Sequence, residues 1–169
     1  LTILFYVFVY TIWLKRRTSQ NIVIGGAAGA FPPVIGWTIA TGSLSIEPLA
    51  FFLIIFFWTP SHFWALSLYK SDDYKKANIP MLPLTNGVES TKINIFIYSL
   101  LMLPVIIFPY SINFVGLTFL IPSLLLTFYY NFLCWELYNY KNHKFDPKKA
   151  KSIFGYSILY LFLVFVLFL

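Results

Sequence analysis

The sequence predicts an all-α, polytopic membrane helical bundle with about six spans, forming one domain over residues 1–169. Three observations predict it. The composition is 59% hydrophobic and 11% charged, whereas soluble domains carry about 25% charged residues. The apolar residues fall into long runs without period-2 alternation, which argues against a β-barrel. All twelve Lys and Arg residues fall in alternate connections between those runs. Backbone groups in hydrocarbon must be satisfied within the chain, so each run is read as a helix.

The first run covers residues 1–14. At about 1.5 Å per residue it reaches roughly 21 Å, short of a hydrocarbon core of roughly 30 Å. The expectation is therefore a cut helix and a natural protein that continues upstream. A signal peptide is not expected, because no basic residue precedes the run and no small-residue cleavage site follows it. The second run, 22–41, carries Gly25, Gly26 and Gly29. Gly25 and Gly29 have the spacing that lets two helices approach closely, and close packing is the default reading. No Gly-Lys-Ser/Thr follows, so a P-loop is excluded. Pro32 and Pro33 free carbonyls mid-span and are expected to kink the helix. The remaining runs are 48–69, 93–110, 115–137 and 152–169. Cys134 in the fifth is the chain's one cysteine. It excludes an internal disulfide, lacks neighbouring metal ligands and reads as a packed thiol.

Charge orders these runs. Loop 15–21 holds Lys15, Arg16 and Arg17. Loop 70–92 holds Lys70, Lys75, Lys76 and Lys92. Loop 138–151 holds Lys141, Lys144, Lys148, Lys149 and Lys151. Loops 42–47 and 111–114 hold none. With this span count the three basic loops share one side, the cytoplasm or the mitochondrial matrix by the positive-inside bias. Topology and anionic head groups thus account for the net charge of +6. Nucleic acid is not expected as a partner, because no soluble domain interleaves bases with stacking aromatics.

The chemistry concentrates in residues 59–83, TPSHFWALSLYKSDDYKKANIPMLP. Trp58, His62, Leu66, Tyr69 and Asp73 fall on one face at helical spacing, and Pro60 is expected to bend the helix just before it. Ionisable residues inside spans usually face the bundle interior or a wet cavity. His62 is therefore either functional or a hydrogen bonder to a neighbouring helix. Asp72 and Asp73, followed by Lys75 and Lys76, form either a solvated turn or a magnesium and phosphate site. Magnesium commonly takes one or two carboxylates and completes its shell with water and phosphate; lysines neutralise phosphate oxygens as point charges. A ligand with a charged head and a long apolar tail, such as an isoprenoid diphosphate, fits that boundary. Lys15 and Arg16 serve as topology anchors or as further phosphate contacts. Trp58, Phe63 and Trp64 either line a cavity or belong to an interfacial aromatic belt. Glu47, Glu89 and Asp146 have no partner pattern.

Two long blocks carry a family resemblance: TIWLKRRTSQNIVIGGAAGAFPPVIGW, 11–37, and FWTPSHFWALSLYKSDDYKKANIPMLP, 57–83. With the span-and-loop spacing to the end, they make the chain resemble the haem-farnesylating branch of the UbiA prenyltransferase superfamily. The resemblance implies an intramembrane helical fold of about nine spans, an active site facing cytoplasm or matrix, and Mg2+. It implies transfer of farnesyl from farnesyl diphosphate to a vinyl group of haem b, giving haem O. Superfamily members hold the diphosphate between two acidic motifs. The second matches Asp72 and Asp73, and the first, Asn/Asp-rich, would lie upstream of Leu1, so the chain alone is expected to be inactive. The resemblance also implies Lys15, Arg16, Trp58, His62, Phe63, Trp64, Tyr69, Lys70 and Tyr74 as substrate contacts, with His62 touching haem as a ligand or through a propionate. It places the protein in the bacterial cytoplasmic (inner) membrane, or the mitochondrial inner membrane. Haem A synthase or terminal-oxidase assembly proteins are the implied protein partners. Two features depart from the wider pattern. Lys76 and Ala77 stand four residues after Asp72 and Asp73, where many relatives have DxxxD; the DDY–PMLP pattern favours the haem-specific branch. Ser61 stands where proline is common and is expected to change local geometry.

Two other readings are weighed. A transferase acting on a quinone or chlorophyll precursor fits the HFW and DDY–PMLP blocks less well. A non-catalytic transporter or assembly factor would carry polar groups near the midplane of several helices, whereas here they gather at one interface.

Overall fold

The computed structural model describes residues 20–140 and 146–169, with isolated positions 4, 7, 8 and 18 before them. The expected first span, 1–14, and the basic residues Lys15, Arg16, Arg17, Lys141 and Lys144 lie outside the described residues. Among the described residues are seven helices: α1 Asn21–Thr41, α2 Glu47–Tyr69, α3 Ser71–Lys76, α4 Leu82–Thr85, α5 Gly87–Ser111, α6 Leu117–Tyr138 and α7 Pro147–Val166. Five of them, α1, α2, α5, α6 and α7, are long and apolar enough to cross a membrane. The chain is a multi-pass, all-helical membrane protein.

Helix α2 is the hub. It packs on α1, α5 and α7, while α6 joins α5 to α7, so α2, α5, α6 and α7 close a ring and α1 lies outside it. Lipid tails are as apolar as leucine, so burying leucine against another helix gains little; small and polar residues bring the helices together instead. The side chains follow that rule. Ser61, Ser67, Ser99, Ser123, Thr127 and Ser157 are fully buried, while Ile39, Leu125, Phe128 and Phe162 face outward. The ring's centre holds Ile54, Trp64, Ile95, Met102, Ile106, Tyr130, Cys134 and Tyr160. Cys134 is therefore the packed thiol that the sequence suggested.

Two boundaries differ from the sequence reading. Helix α5 begins at Gly87 rather than residue 93. Its first turns are polar and escape a hydropathy window, yet Thr91 and Lys92 in them are buried in the bundle. Lys92, assigned above to a loop, is a buried helical residue, 1% exposed. Its Nζ donates to Glu89 Oε1 at 2.9 Å and to the Tyr140 carbonyl at 2.8 Å. Helix α7 begins at Pro147 rather than 152, because Asp146 caps it by accepting from the Lys148 N–H at 2.8 Å and proline suits a first helical position. Glu89 and Asp146, without a role in the sequence, thus serve an ion pair and a cap.

The alternation of ends holds. The Lys92–Tyr140 bond joins the region after α2 to the region after α6 at one end. At the other end, Trp37 and Phe51 each meet Phe114 edge-on at 5.7 Å, joining the α1–α2 and α5–α6 connections.

Candidate active site

Helix α2 runs without interruption through Pro60 to Tyr69, and the chain turns at Lys70, φ −108° and ψ 19°. Helix α3 follows as a separate turn and a half. This corrects the single face drawn above: Trp58, His62 and Tyr69 share a face towards α7, but Asp73 sits on a new axis. The break leaves Asp72, Asp73, Lys75 and Lys76 all exposed to water. The carboxylates occupy the first turn of α3 and the lysines the last, the order that the helix dipole favours. Asp73 pairs with Lys70 at 3.2 Å, both side chains more than half exposed; such pairs contribute little. Asp72, Lys75 and Lys76 form no ion pair among the described residues. Tyr74 is half-buried, and burial, then the neighbouring Tyr69 and Asp73, push its phenol above the ordinary range. It remains an O–H donor at neutral pH.

The loop beyond is pinned. Asn78 takes a left-handed turn, φ 53°. The Ile79 N–H returns to the Tyr74 carbonyl at 3.1 Å. Met81 and Leu82 are buried at 4% and 2% exposed. The Pro-Met-Leu-Pro stretch is thus the anchor that holds α3 against the end of the bundle.

About two turns inside the span, His62 is held on three sides. Trp58 stacks on its ring at 4.2 Å and Phe154 of α7 stacks at 4.6 Å. Its Nδ1 lies 2.6 Å from Ser157 Oγ. The Trp58 indole N–H donates to the Ser157 carbonyl at 2.9 Å. Tyr69 meets Phe154 edge-on at 6.0 Å.

Trp58 is also the wall shared by two cavities. One, about 310 Å³, lies between α1 and α2 and is lined by Gly25, Gly26, Gly29, Trp58, Thr59 and Phe63 among others. The second, about 380 Å³, lies between α2 and α7 against Ile55, Trp58 and Phe162. The glycines divide their work in a way the spacing did not reveal. A Cβ on Gly26 would sit 3.0 Å from Thr59 Cγ2, so Gly26 is the close-packing residue. Gly29 meets nothing within 4 Å and, with Gly25, opens the cavity. The His-Phe-Trp trio also divides. Phe63 faces the cavity, His62 faces α7, and Trp64 is wholly buried, edge-on to Tyr98 of α5 at 5.2 Å.

Sequence reasoning missed Ser61 as a link between helices. Its hydroxyl donates to the Trp58 carbonyl at 3.1 Å and accepts from Tyr130 at 2.8 Å. It missed Ser157 and Phe154 altogether, since neither belongs to a motif and only folding brings α7 beside α2. Lys15 and Arg16 fall outside the described residues.

No cluster of three or more metal-ligating side chains occurs among the described residues. Asp72 and Asp73 offer two exposed hard oxygen donors. That set suits a magnesium ion which takes most of its ligands from water and a bound phosphate group, not one caged by protein.

The chain's likeness to known proteins follows the same lines. The UbiA prenyltransferase family model matches residues 1–167. A protoheme IX farnesyltransferase of Pelagibacter ubique is 82% identical over 99% of this chain and 55% of its own length. One of Parvibaculum lavamentivorans is 53% identical over 99% of this chain and 53% of its own. One of Afipia carboxidovorans is 47% identical over 97% and 52%. The chain therefore spans about half the length of the curated relatives it matches. No solved structure matches. With its helical bundle and a family match over nearly its whole length, the chain belongs to the UbiA prenyltransferase family.

Proposed function

We propose that this chain supplies one side of a site that transfers farnesyl from farnesyl diphosphate to a vinyl group of haem b, giving haem O. The observation that carries the reading is the exposed Asp72–Asp73–Lys75–Lys76 turn directly beyond a span whose Trp58 and Phe63 line an apolar cavity. Such a boundary suits a charged head with an apolar tail. The similarity to protoheme IX farnesyltransferases supports the choice of tail and acceptor.

In this reading Asp72 and Asp73 would hold magnesium, and the ion would neutralise charge on the diphosphate leaving group. Lys75 and Lys76 place ammonium groups on the same oxygens, and Lys70, Lys15 and Arg16 add to that field. Tyr74 offers a phenol O–H. The C–O bond to diphosphate breaks, the allylic carbon bonds to the terminal vinyl carbon, water adds to the carbocation left on the inner one, and its spare proton goes to the released diphosphate. The faces of Trp58 and Phe63 stabilise the cation and exclude bulk water, while Trp64 packs in the bundle core against Tyr98. His62 and Tyr69 lie on the α7 side, where the porphyrin is placed. The inner membrane, with the turn facing the cytoplasm, is the proposed setting, and haem A synthase or terminal-oxidase assembly proteins are the proposed partners.

The test is to express the intact gene in cells that lack their own haem O synthesis and to measure haem O by mass spectrometry. Haem O should form, and Asp72→Ala with Asp73→Ala should abolish it. Product that persists in the double variant removes the diphosphate role of this turn. Prenylated quinone without haem O identifies a different acceptor.

A further inference from the structure

We propose that Ser157 is a positioning residue for His62: it fixes the imidazole as the Nδ1–H tautomer and leaves Nε2 as a bare lone pair. The inference deepens the reading of His62 as a substrate contact and rests on that reading for its functional half. The Ser157 hydroxyl has one proton and two neighbours. Its Oγ lies 2.7 Å from the Phe154 carbonyl and 2.6 Å from His62 Nδ1. A carbonyl can only accept, so both contacts become hydrogen bonds only if Ser157 donates to Phe154 and Nδ1–H donates to Ser157. The reverse arrangement, Ser157 donating to Nδ1, leaves the carbonyl contact without a proton. Serine back-bonding to a carbonyl one turn earlier is common in helices.

The remaining freedoms of the ring are closed. Trp58 and Phe154 stack on its two faces within 23° of parallel, so it cannot tilt. A ring flip would exchange Nδ1–H for a carbon and lose the Ser157 bond. Ser157 cannot drift, because the Trp58 indole grips its carbonyl at 2.9 Å. Among the described residues Nε2 has no hydrogen-bond partner. A histidine that merely stapled α7 to α2 would need one bond. Here tautomer, plane and rotation are all set, and what they leave is one directed lone pair. Such a nitrogen binds a Lewis acid or accepts a proton donor, and it cannot donate to a carboxylate. Of the two haem contacts that a histidine can make, the geometry therefore favours the iron over a propionate.

The tautomer is read directly by 15N resonance of the protein labelled with ring-15N histidine and held in lipid nanodiscs; loss of a signal in His62→Gln assigns it. Nδ1 should show the protonated shift and Nε2 the bare one. The opposite pattern in the unaltered protein overturns the proposal, whatever the variants do. Ser157→Ala should mix the tautomers and Ser157→Thr should preserve the Nδ1–H form; an unchanged tautomer in Ser157→Ala also overturns it. In the intact enzyme Ser157→Ala should raise KM for haem about tenfold, the low end for losing a histidine's orienting partner, with a smaller change in kcat and rescue by Ser157→Thr. A shifted tautomer with an unmoved haem KM overturns the substrate role of His62 while the tautomer lock stands.

Discussion

Single side chains decide how α1 meets α2, and the glycines show it. Gly26 lies tight against Thr59, where a Cβ would sit 3.0 Å from Cγ2, whereas Gly29 faces open space. Gly26→Ala should force the helices apart by a few tenths of an ångström and cost about 1–3 kcal/mol, the usual penalty for overpacking. Gly29→Ala should be neutral or stabilising by up to about 1 kcal/mol through helix propensity. In the proposed reading it should nonetheless raise KM for farnesyl diphosphate, because its methyl enters the cavity. Thermal unfolding in detergent separates the first pair of outcomes, and steady-state kinetics of the intact enzyme checks the last. Equal destabilisation by both substitutions would contradict the division of roles. The sequence made the glycine cluster legible but not this division. A four-residue spacing marks one helix face and leaves open which neighbour that face meets. The same limit hid Ser61. As a residue it looked like a lost proline, and its bond to Tyr130 exists only because α6 folds against α2.

At the scale of elements, the polar turns between spans hold the ends of the bundle together. Lys92 is the clearest case, with its ammonium buried between α5 and the end of α6 while its partner Glu89 stays half exposed. Two charge-assisted bonds end on that one nitrogen, and a hydrogen bond to a charged group contributes about 1.5–3 kcal/mol. Lys92→Met keeps the stem and removes the charge, and should lower stability by about 2 kcal/mol. Glu89→Gln should cost less than about 1 kcal/mol, since an exposed acid contributes little and the Tyr140 carbonyl still accepts. Chemical or thermal unfolding of the two variants in the same detergent checks the order, and a larger effect from Glu89→Gln would show that the ion pair, not the carbonyl, fastens α5 to α6. Hydropathy could not place Lys92 because it sees average polarity over a window, and one buried cation inside a polar turn vanishes in that average. The start of α7 was more legible, since Asp146-Pro147 is a cap followed by a first-turn proline. The separation of α3 from α2 was not, because a helical wheel through 58–73 assumes an unbroken axis and Lys70 breaks it.

Across the whole molecule the distribution of charge makes a claim about the membrane that bonds between ends already half support. The described basic residues Lys70, Lys75, Lys76, Lys92, Lys148, Lys149 and Lys151 gather at the end where Lys92 reaches Tyr140. The opposite end, around Ser43 and Phe114, carries none among the described residues. The geometry sets which loops share a side, and the positive-inside bias then sets which side that is. The chain is suited to a direct measurement because its one cysteine, Cys134, is fully buried and should stay silent to a membrane-impermeant maleimide. Ser43→Cys and Lys76→Cys each place a thiol on an exposed position at opposite ends. In intact cells Ser43→Cys should label at once, and Lys76→Cys only after the membrane is opened. The reverse pattern would put Asp72 and Asp73 on the outer face. The charged head of farnesyl diphosphate cannot cross hydrocarbon unaided, so a donor supplied from the cytoplasm would not reach them there, and the proposed reaction would fail on access alone even if every residue of the turn were in place.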